Sequence, residues 1–169
     1  GLSLGLFNRA NVNIDFYHKK TTNILMSVPQ SYAVTGEGNR WENIGAMMNR
    51  GIEVAIDGDI IRMNDFTWNL SANFSYNKNK LLELYNGVEE YVNSTTGLKY
   101  MVGHSVTEYF LNRYAGVNPA NGDALWYTAD GELTTEFRED DKVMTGKTYE
   151  SPWAGGFGTT FIWKGISLS

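Results

Sequence analysis

The chain contains no cysteine in 169 residues, which removes disulfide frameworks, cysteine-based zinc sites and thiol nucleophiles together. Basic charge is also short: 14 Lys and Arg against 19 Asp and Glu leave a net charge of −5. A nucleic-acid partner is thereby disfavoured, because phosphate binding wants a basic face that releases counterions. No apolar run approaches the roughly 20 residues that a membrane-spanning helix needs. The first residues, Gly1 to Asn8, show neither the basic nor the apolar region of a signal peptide. These absences exclude a helical membrane protein but leave a strand-built one open, since barrel strands carry a weaker hydropathy signal. Proline is scarce at 3 residues while glycine reaches 18 and aromatics 14%, a mixture that favours strands and tight turns over helices.

What is present is alternation. From Phe66 to Asn77, Phe66, Trp68, Leu70, Ala72, Phe74 and Tyr76 alternate without a miss with Thr67, Asn69, Ser71, Asn73, Ser75 and Asn77. Independent positions would give such a window about two times in ten thousand. Before it, Ile52, Val54, Ile56 and Ile60 face away from Glu53, Ala55, Asp57 and Asp59, and Arg62–Asp65 forms a short polar connection. The two runs read as an antiparallel hairpin. Val12, Ile14 and Phe16 repeat the pattern, Leu2, Leu4 and Leu6 begin it, and Trp153, Phe157, Phe161 and Trp163 carry it near the other end. The expected strands are 2–7, 11–18, 51–61, 66–77, 153–163 and 166–169, with long loops at 19–50 and 78–152.

Connection lengths then become informative. Phe7–Ala10, Arg62–Asp65 and Lys164–Gly165 are short, and the two loops between them are long. Strict alternation of short and long puts all short turns at one end of an up-and-down sheet, the asymmetry of outer-membrane barrels. Phe66 and Tyr76 lie ten residues apart on one face, as do Trp153 and Trp163. Ten residues rise about 33 Å along a strand, which a tilt near 45° projects to roughly 23 Å, the height of an apolar band between aromatic girdles. The expected fold is all-β, with antiparallel up-and-down strands forming part of a large transmembrane barrel. The rival is a soluble carbohydrate-binding β-sandwich, whose strand faces meet a protein core instead of lipid.

The stretch NRGIEVAIDGDIIRMNDFTWNLSANFSYNKNKLLEL, Asn49 to Leu84, resembles the strand pair of SusC/RagA-type TonB-dependent transporters. RYAGVNPANGDALWY from Arg113, GKTYESPWAGGFGTTFIWKGISLS from Gly146, and upstream YHKKTTNILMSVPQ and NIGAMMNRG are similar to further blocks of that family, in its own order. The resemblance implies the later part of a 22-stranded barrel in the Gram-negative outer membrane. It also implies an N-terminal plug energised by a TonB complex, a SusD-like surface lipoprotein as lid, and oligosaccharide or peptide cargo. The matched blocks include no plug, no TonB-contact segment and no terminal strand. Residues 1–169 are therefore expected to be a partial barrel domain that does not close, and that alone in water aggregates or needs detergent.

For chemistry, Glu53, Asp57 and Asp59 share the polar face of the hairpin, with Asn69 and Asn73 on that of the next strand. In a barrel this face lines a wet lumen, so all five are candidate lumen residues. No His, Ser or Cys stands at a spacing that would make the carboxylates a catalytic pair, so no catalytic residue, enzyme activity or cofactor is expected. His18 and His104 lack ligand-type neighbours, and Glu139-Asp140-Asp141 lacks the alternate spacing and glycine of a calcium loop; no metal is expected. The aromatics Tyr109, Phe110, Tyr114, Trp126 and Tyr127 gather in the long loop. Of these, Tyr109, Tyr114, Trp126 and Tyr127 are the candidates for stacking on ligand or touching the lid, the alternative being a small core of the loop itself. The turn-rich Asn118–Asp123 and a hairpin around Asp130-Gly131 argue for order in that loop.

Overall fold

A computed structural model describes residues 1–29, 39–43, 45–93 and 96–169. In chain order the strands are β1 (Leu2–Leu6), β2 (Ala10–Thr22), β3 (Leu25–Pro29), β4 (Asn39–Asn43), β5 (Gly45–Arg62), β6 (Phe66–Leu84), β7 (Glu90–Val92) and β8 (Lys99–Met101). They continue with β9 (Glu108–Leu111), β10 (Arg113–Val117), β11 (Ala124–Tyr127), β12 (Leu133–Thr134), β13 (Val143–Thr148), β14 (Trp153–Trp163) and β15 (Ile166–Leu168). Two compact units result: Gly1–Thr21 with Met48–Asn79 and Ser151–Ser169, and Thr22–Met47 with Lys80–Glu150.

The first unit is built on an open sheet in the order β1-β2-β5-β6-β14-β15, so strands expected to be consecutive are neighbours. Alternation explains its two faces. Register pairs Trp153 with Tyr76, Phe157 with Ala72, Phe161 with Trp68 and Trp163 with Phe66. Leu2 meets Ile14 and Leu4 meets Val12. Apolar side chains therefore gather on one face. Within this unit no second sheet covers that face, and Phe16 and Phe157 remain 74% and 85% exposed. Its aromatics cluster at the two ends of the β6–β14 ladder. At one end Phe161 stacks on Trp68 and Phe66 at 5.7 and 6.4 Å; at the other Trp153 meets Tyr76 and Phe74 at 4.2 and 5.3 Å. Each such pair contributes about 0.5–1.5 kcal/mol beyond area burial. Between the clusters the Trp68 indole donates to Thr159 Oγ1 at 2.8 Å.

The short turns share one end of the sheet. Arg9 N–H closes the first onto Leu6 O at 2.9 Å, with Phe7 and Asn8 both at φ 53°. Lys164 (φ 47°) and Gly165 (φ 85°) make the third. Positive φ at both central residues is the turn whose twist matches that of the flanking strands. Met63 N–H closes the second turn onto Phe66 O at 2.7 Å, and Lys164 N–H reaches Asp65 O beside it at 3.0 Å.

Several strands run past their expected ends. β2 continues to Thr22 instead of stopping at His18, β5 begins at Gly45 instead of Gly51, and β6 reaches Leu84 instead of Asn77. Alternation reports a strand only where apolar and polar residues take turns; in the extensions they stop doing so, as at Lys19-Lys20, Met47-Met48 and Leu81-Leu82, while the backbone ladder continues. Side-chain amides hold the strands there: Tyr17 Oη donates to Asn77 Oδ1 at 3.0 Å, and Asn77 and Asn79 both donate to Asn49 Oδ1, at 3.4 and 3.0 Å.

The segments expected as long loops also hold strands. β3 pairs with β4, β7 with β8, β9 with β13, and β10-β11-β12 form a small sheet. Residues 30–38 and 44 of the first segment, and Ser94 and Thr95 of the second, lie outside the described residues. Ala46, Leu81 and Leu84 are buried in this second unit, where Leu81 exchanges backbone bonds of 2.8 Å with Gly103 N–H and His104 O.

Glycine at 51 is required by close approach: a Cβ there would lie 2.1 Å from the Tyr76 carbonyl oxygen and 2.6 Å from Tyr17 Oη. At Gly156 a Cβ would meet only Asn73 Oδ1, at 3.6 Å. Gly51→Val in the intact receptor is therefore expected to abolish the heat-modifiable gel band of a folded barrel, and Gly156→Ala to retain it. Equal behaviour of the two variants would refute this account of the β5–β6 spacing.

Candidate functional site

The polar face of the first unit carries Glu53, Asp57, Asp59, Asn69 and Asn73, as their parity requires. Asn69 Nδ2 donates to Asp59 Oδ1 at 3.2 Å, and Arg62 stands 3.8 Å from the other Asp59 oxygen. Asp57 and Asn73 line a shallow depression of about 470 Å³ with Asn13, Ser71, Gly156 and Gly158. Glu53 and Asn73 line a second one of about 340 Å³ with Asp15 and Ser75. The structure thus brings all five candidates onto one surface, with Asn73 shared by both depressions.

The four aromatic candidates do not form one platform. β10 and β11 pair Tyr114 with Trp126 and Arg113 with Tyr127, so the period of two puts Tyr114 and Trp126 on one side and Tyr127 on the other. Tyr114 meets Trp126 edge-on at 5.3 Å, and Trp126 meets Phe137 at 5.1 Å. Tyr127 lies under the Arg113 guanidinium at 5.4 Å, which itself donates to Thr128 O at 2.9 Å. Tyr109 packs instead against Tyr149, at 6.1 Å. Gly131, at φ 93°, supplies the left-handed residue of the Thr128–Glu132 turn between β11 and β12.

The residue that sequence reasoning passed over is Glu108, 5% exposed. Its Oε1 accepts the Gly146 N–H at 2.7 Å, and its Oε2 lies 3.0 Å from His104 Nδ1. A buried carboxylate needs such partners, and these tie β9 to the segment before it and to β13. The spacing His104 to Glu108 is visible in the sequence, but the Gly146 contact comes from 38 residues away. The acidic run acts locally: Asp141 Oδ1 accepts the Ala129 N–H at 3.0 Å, and Glu139 pairs with Lys142. His18 is exposed on β2.

A family model described as "TonB dependent receptor-like, beta-barrel" matches residues 1–166. The chain belongs to the TonB-dependent receptor β-barrel family. Its type is SusC/RagA. It is 31% identical over 137 residues to TonB-dependent receptor SusC of Bacteroides thetaiotaomicron, covering 74% of this chain and 14% of that protein. It is 29% identical over 215 residues to TonB-dependent receptor P39 of Formosa agariphila, covering all of this chain and 20% of the relative. Among solved structures, the RagAB peptide importer in its open-open state superposes with a TM-score of 0.84 at 31% identity, over 95% of this chain and 18% of that one. The chain thus spans about a fifth, or less, of the length of these relatives. Family membership together with the uncovered apolar face leaves the β-sandwich alternative without support.

Truncating Glu108 to Ala in the intact receptor would strand the Gly146 N–H and the His104 ring, at a cost of about 1–3 kcal/mol. Amide exchange at Gly146 is expected to accelerate; unchanged exchange would show that the carboxylate does not hold β13. A second expectation concerns alkaline pH. Burial, then the neighbouring Tyr149 and Tyr91, push the Tyr100 phenol up. With its folded pKa above the unfolded value of about 10, the stability it supports is intact below that value and is lost as pH rises through the folded one. Tyr100→Phe should therefore flatten the alkaline limb of a pH–stability curve, and an identical limb would remove Tyr100 as the cause.

Proposed function

We propose that these strands and loops are part of an active importer in the Gram-negative outer membrane, taking up oligosaccharides or peptides together with a SusD-like surface lipoprotein and powered by a TonB complex through a plug. The observation that carries this reading is the uncovered apolar sheet face with aromatic clusters at both ends of the β6–β14 ladder. Rings at the two limits of an apolar band suit the two membrane interfaces. Hydrocarbon on that face also explains why no second sheet of the unit covers it. On this reading Glu53, Asp57, Asp59, Asn69 and Asn73 line the lumen. Tyr109, Tyr114, Trp126 and Tyr127 lie in loops outside the membrane, where Tyr114 and Trp126 are the pair placed to touch cargo or lid together. The protein supplies no covalent chemistry; transport follows from binding and release. The peptide named for the RagAB importer supports the peptide class of cargo.

The test is an antibody against residues Lys99–Lys147, used on fractionated cells with and without heating of the outer-membrane sample. The expected result is a heat-modifiable band on the order of 100 kDa, since the 19.0 kDa chain is about a fifth of its relatives' length. A soluble band near 19.0 kDa would overturn the reading.

A further inference from the structure

Charge in the sheet of the first unit divides by sign. Among the described residues, the strand acids Asp15, Glu53, Asp57 and Asp59 all take the polar face, and period two leaves the apolar face of β2, β5, β6 and β14 without one. Four basic residues do the opposite, at the end of the sheet away from the short turns. Counting along β2 from Phe16 puts His18 and Lys20 on the apolar face; counting from Ile52 puts Arg50 there, and from Tyr76 puts Lys78. Three of the four stand at one height. Tyr17 Oη donates to Asn77 Oδ1 at 3.0 Å, Asn49 Oδ1 accepts from Asn77 and Asn79, and a Cβ at Gly51 would lie 2.6 Å from Tyr17 Oη. His18, Arg50 and Lys78 are the chain neighbours of those residues on the opposite face, and Lys20 follows His18 by one period.

Two further observations give this patch a direction. It begins where the apolar band ends: Lys78 lies two residues beyond Tyr76, the partner of Trp153, or about 7 Å along the strand. Phe16, one period before His18 on the same face, is 74% exposed. The patch is also uncompensated. All four residues are exposed, and among the described residues none of them forms an ion pair. At the short-turn end, by contrast, Arg62 stands 3.8 Å from an Asp59 oxygen and Lys164 lies over the Trp163 ring at 5.5 Å. Long basic side chains just past an interfacial aromatic pair lay their stems along apolar surface and carry their charge to the headgroup level.

We propose that His18, Lys20, Arg50 and Lys78 form a binding site on the outside of the wall for the phosphate of an anionic glycolipid in the outer leaflet. The guanidinium of Arg50 can hold a phosphate through two parallel N–H donors, with Lys20 and Lys78 adding ammonium groups on either side. The acyl chains of the same lipid would run down the apolar face past Phe16. A basic patch attracts anionic headgroups, and with no carboxylate on that face nothing in the sheet opposes the attraction. The inference rests on the importer reading, which makes this end of the strands the outer one.

The experiment takes the intact receptor, delipidated in detergent, and measures by native mass spectrometry its binding of phosphorylated lipid A and of the same lipid after phosphatase treatment. The phosphorylated lipid is expected to bind about tenfold more tightly, and the combination Lys20→Gln, Arg50→Gln and Lys78→Gln to remove that preference while leaving the dephosphorylated lipid unaffected. Arg62→Gln with Lys164→Gln, at the other end of the sheet, should change neither. Equal binding of the two lipids, a preference that survives the triple variant, or one that the short-turn pair abolishes as well would each overturn the site. Inorganic phosphate that displaces the lipid completely would overturn a lipid as its occupant, and so would an acidic protein that copurifies with the receptor and is lost in the triple variant while lipid binding is not. Heat modifiability checks the folding of every variant; should the triple variant fail it, Lys20→Gln alone decides, with an expected weakening of about threefold. A receptor that fractionates with the outer membrane yet does not distinguish the lipids overturns the patch alone. A receptor absent from that fraction overturns the importer reading, and the patch with it.

Discussion

The ladder between β6 and β14 determines the arrangement of the first unit. Its unbroken register from Trp153–Tyr76 to Trp163–Phe66 fixes parity on both strands at once, and with period two a slip of a single residue would exchange the faces of every side chain. Because parity holds, aromatic rings meet at both ends of one face while Asn69, Ser71, Asn73 and Ser75 stay on the other. Along this ladder the facing backbone groups of β6 and β14 bond to each other, as strands that border an apolar medium require.

Beyond the apolar band a different interaction takes over. The Tyr17, Asn49, Asn77 and Asn79 side chains link β2, β5 and β6 by hydrogen bonds, and Gly51 leaves the room that the Tyr17 ring needs. The loop unit then rests on a few buried groups, Leu81, Leu84 and Glu108, with aromatic contacts spread over many short strands. Its organisation depends on specific polar partners and ring packing more than on a large core.

Much of the wall was legible. β14 occupies Trp153–Trp163 as its alternation indicated, β6 starts at Phe66, and the short turns fall where glycine, asparagine and lysine interrupt the pattern. The shared face of Glu53, Asp57 and Asn73 was readable for the same reason, since parity alone assigns it. The strand extensions were not, because β2 past His18 is polar on both faces and β6 past Asn77 loses its alternation at Leu81-Leu82. The loop strands β7 to β13 were mostly illegible, being too short for a periodic signal; the hairpin at Asp130-Gly131 was visible only through its turn residues.

Local sequence therefore determined the strand faces, the turns and the family, since period-two patterning and turn chemistry act between near neighbours. Only the tertiary structure decided which aromatics meet. It separated Tyr127 from Trp126, took Tyr109 away to Tyr149, and joined Glu108 to Gly146. Those partners are brought together by pairings between distant segments, β10 with β11 and β9 with β13, and no local periodicity encodes a contact that depends on where two separate strands come to lie.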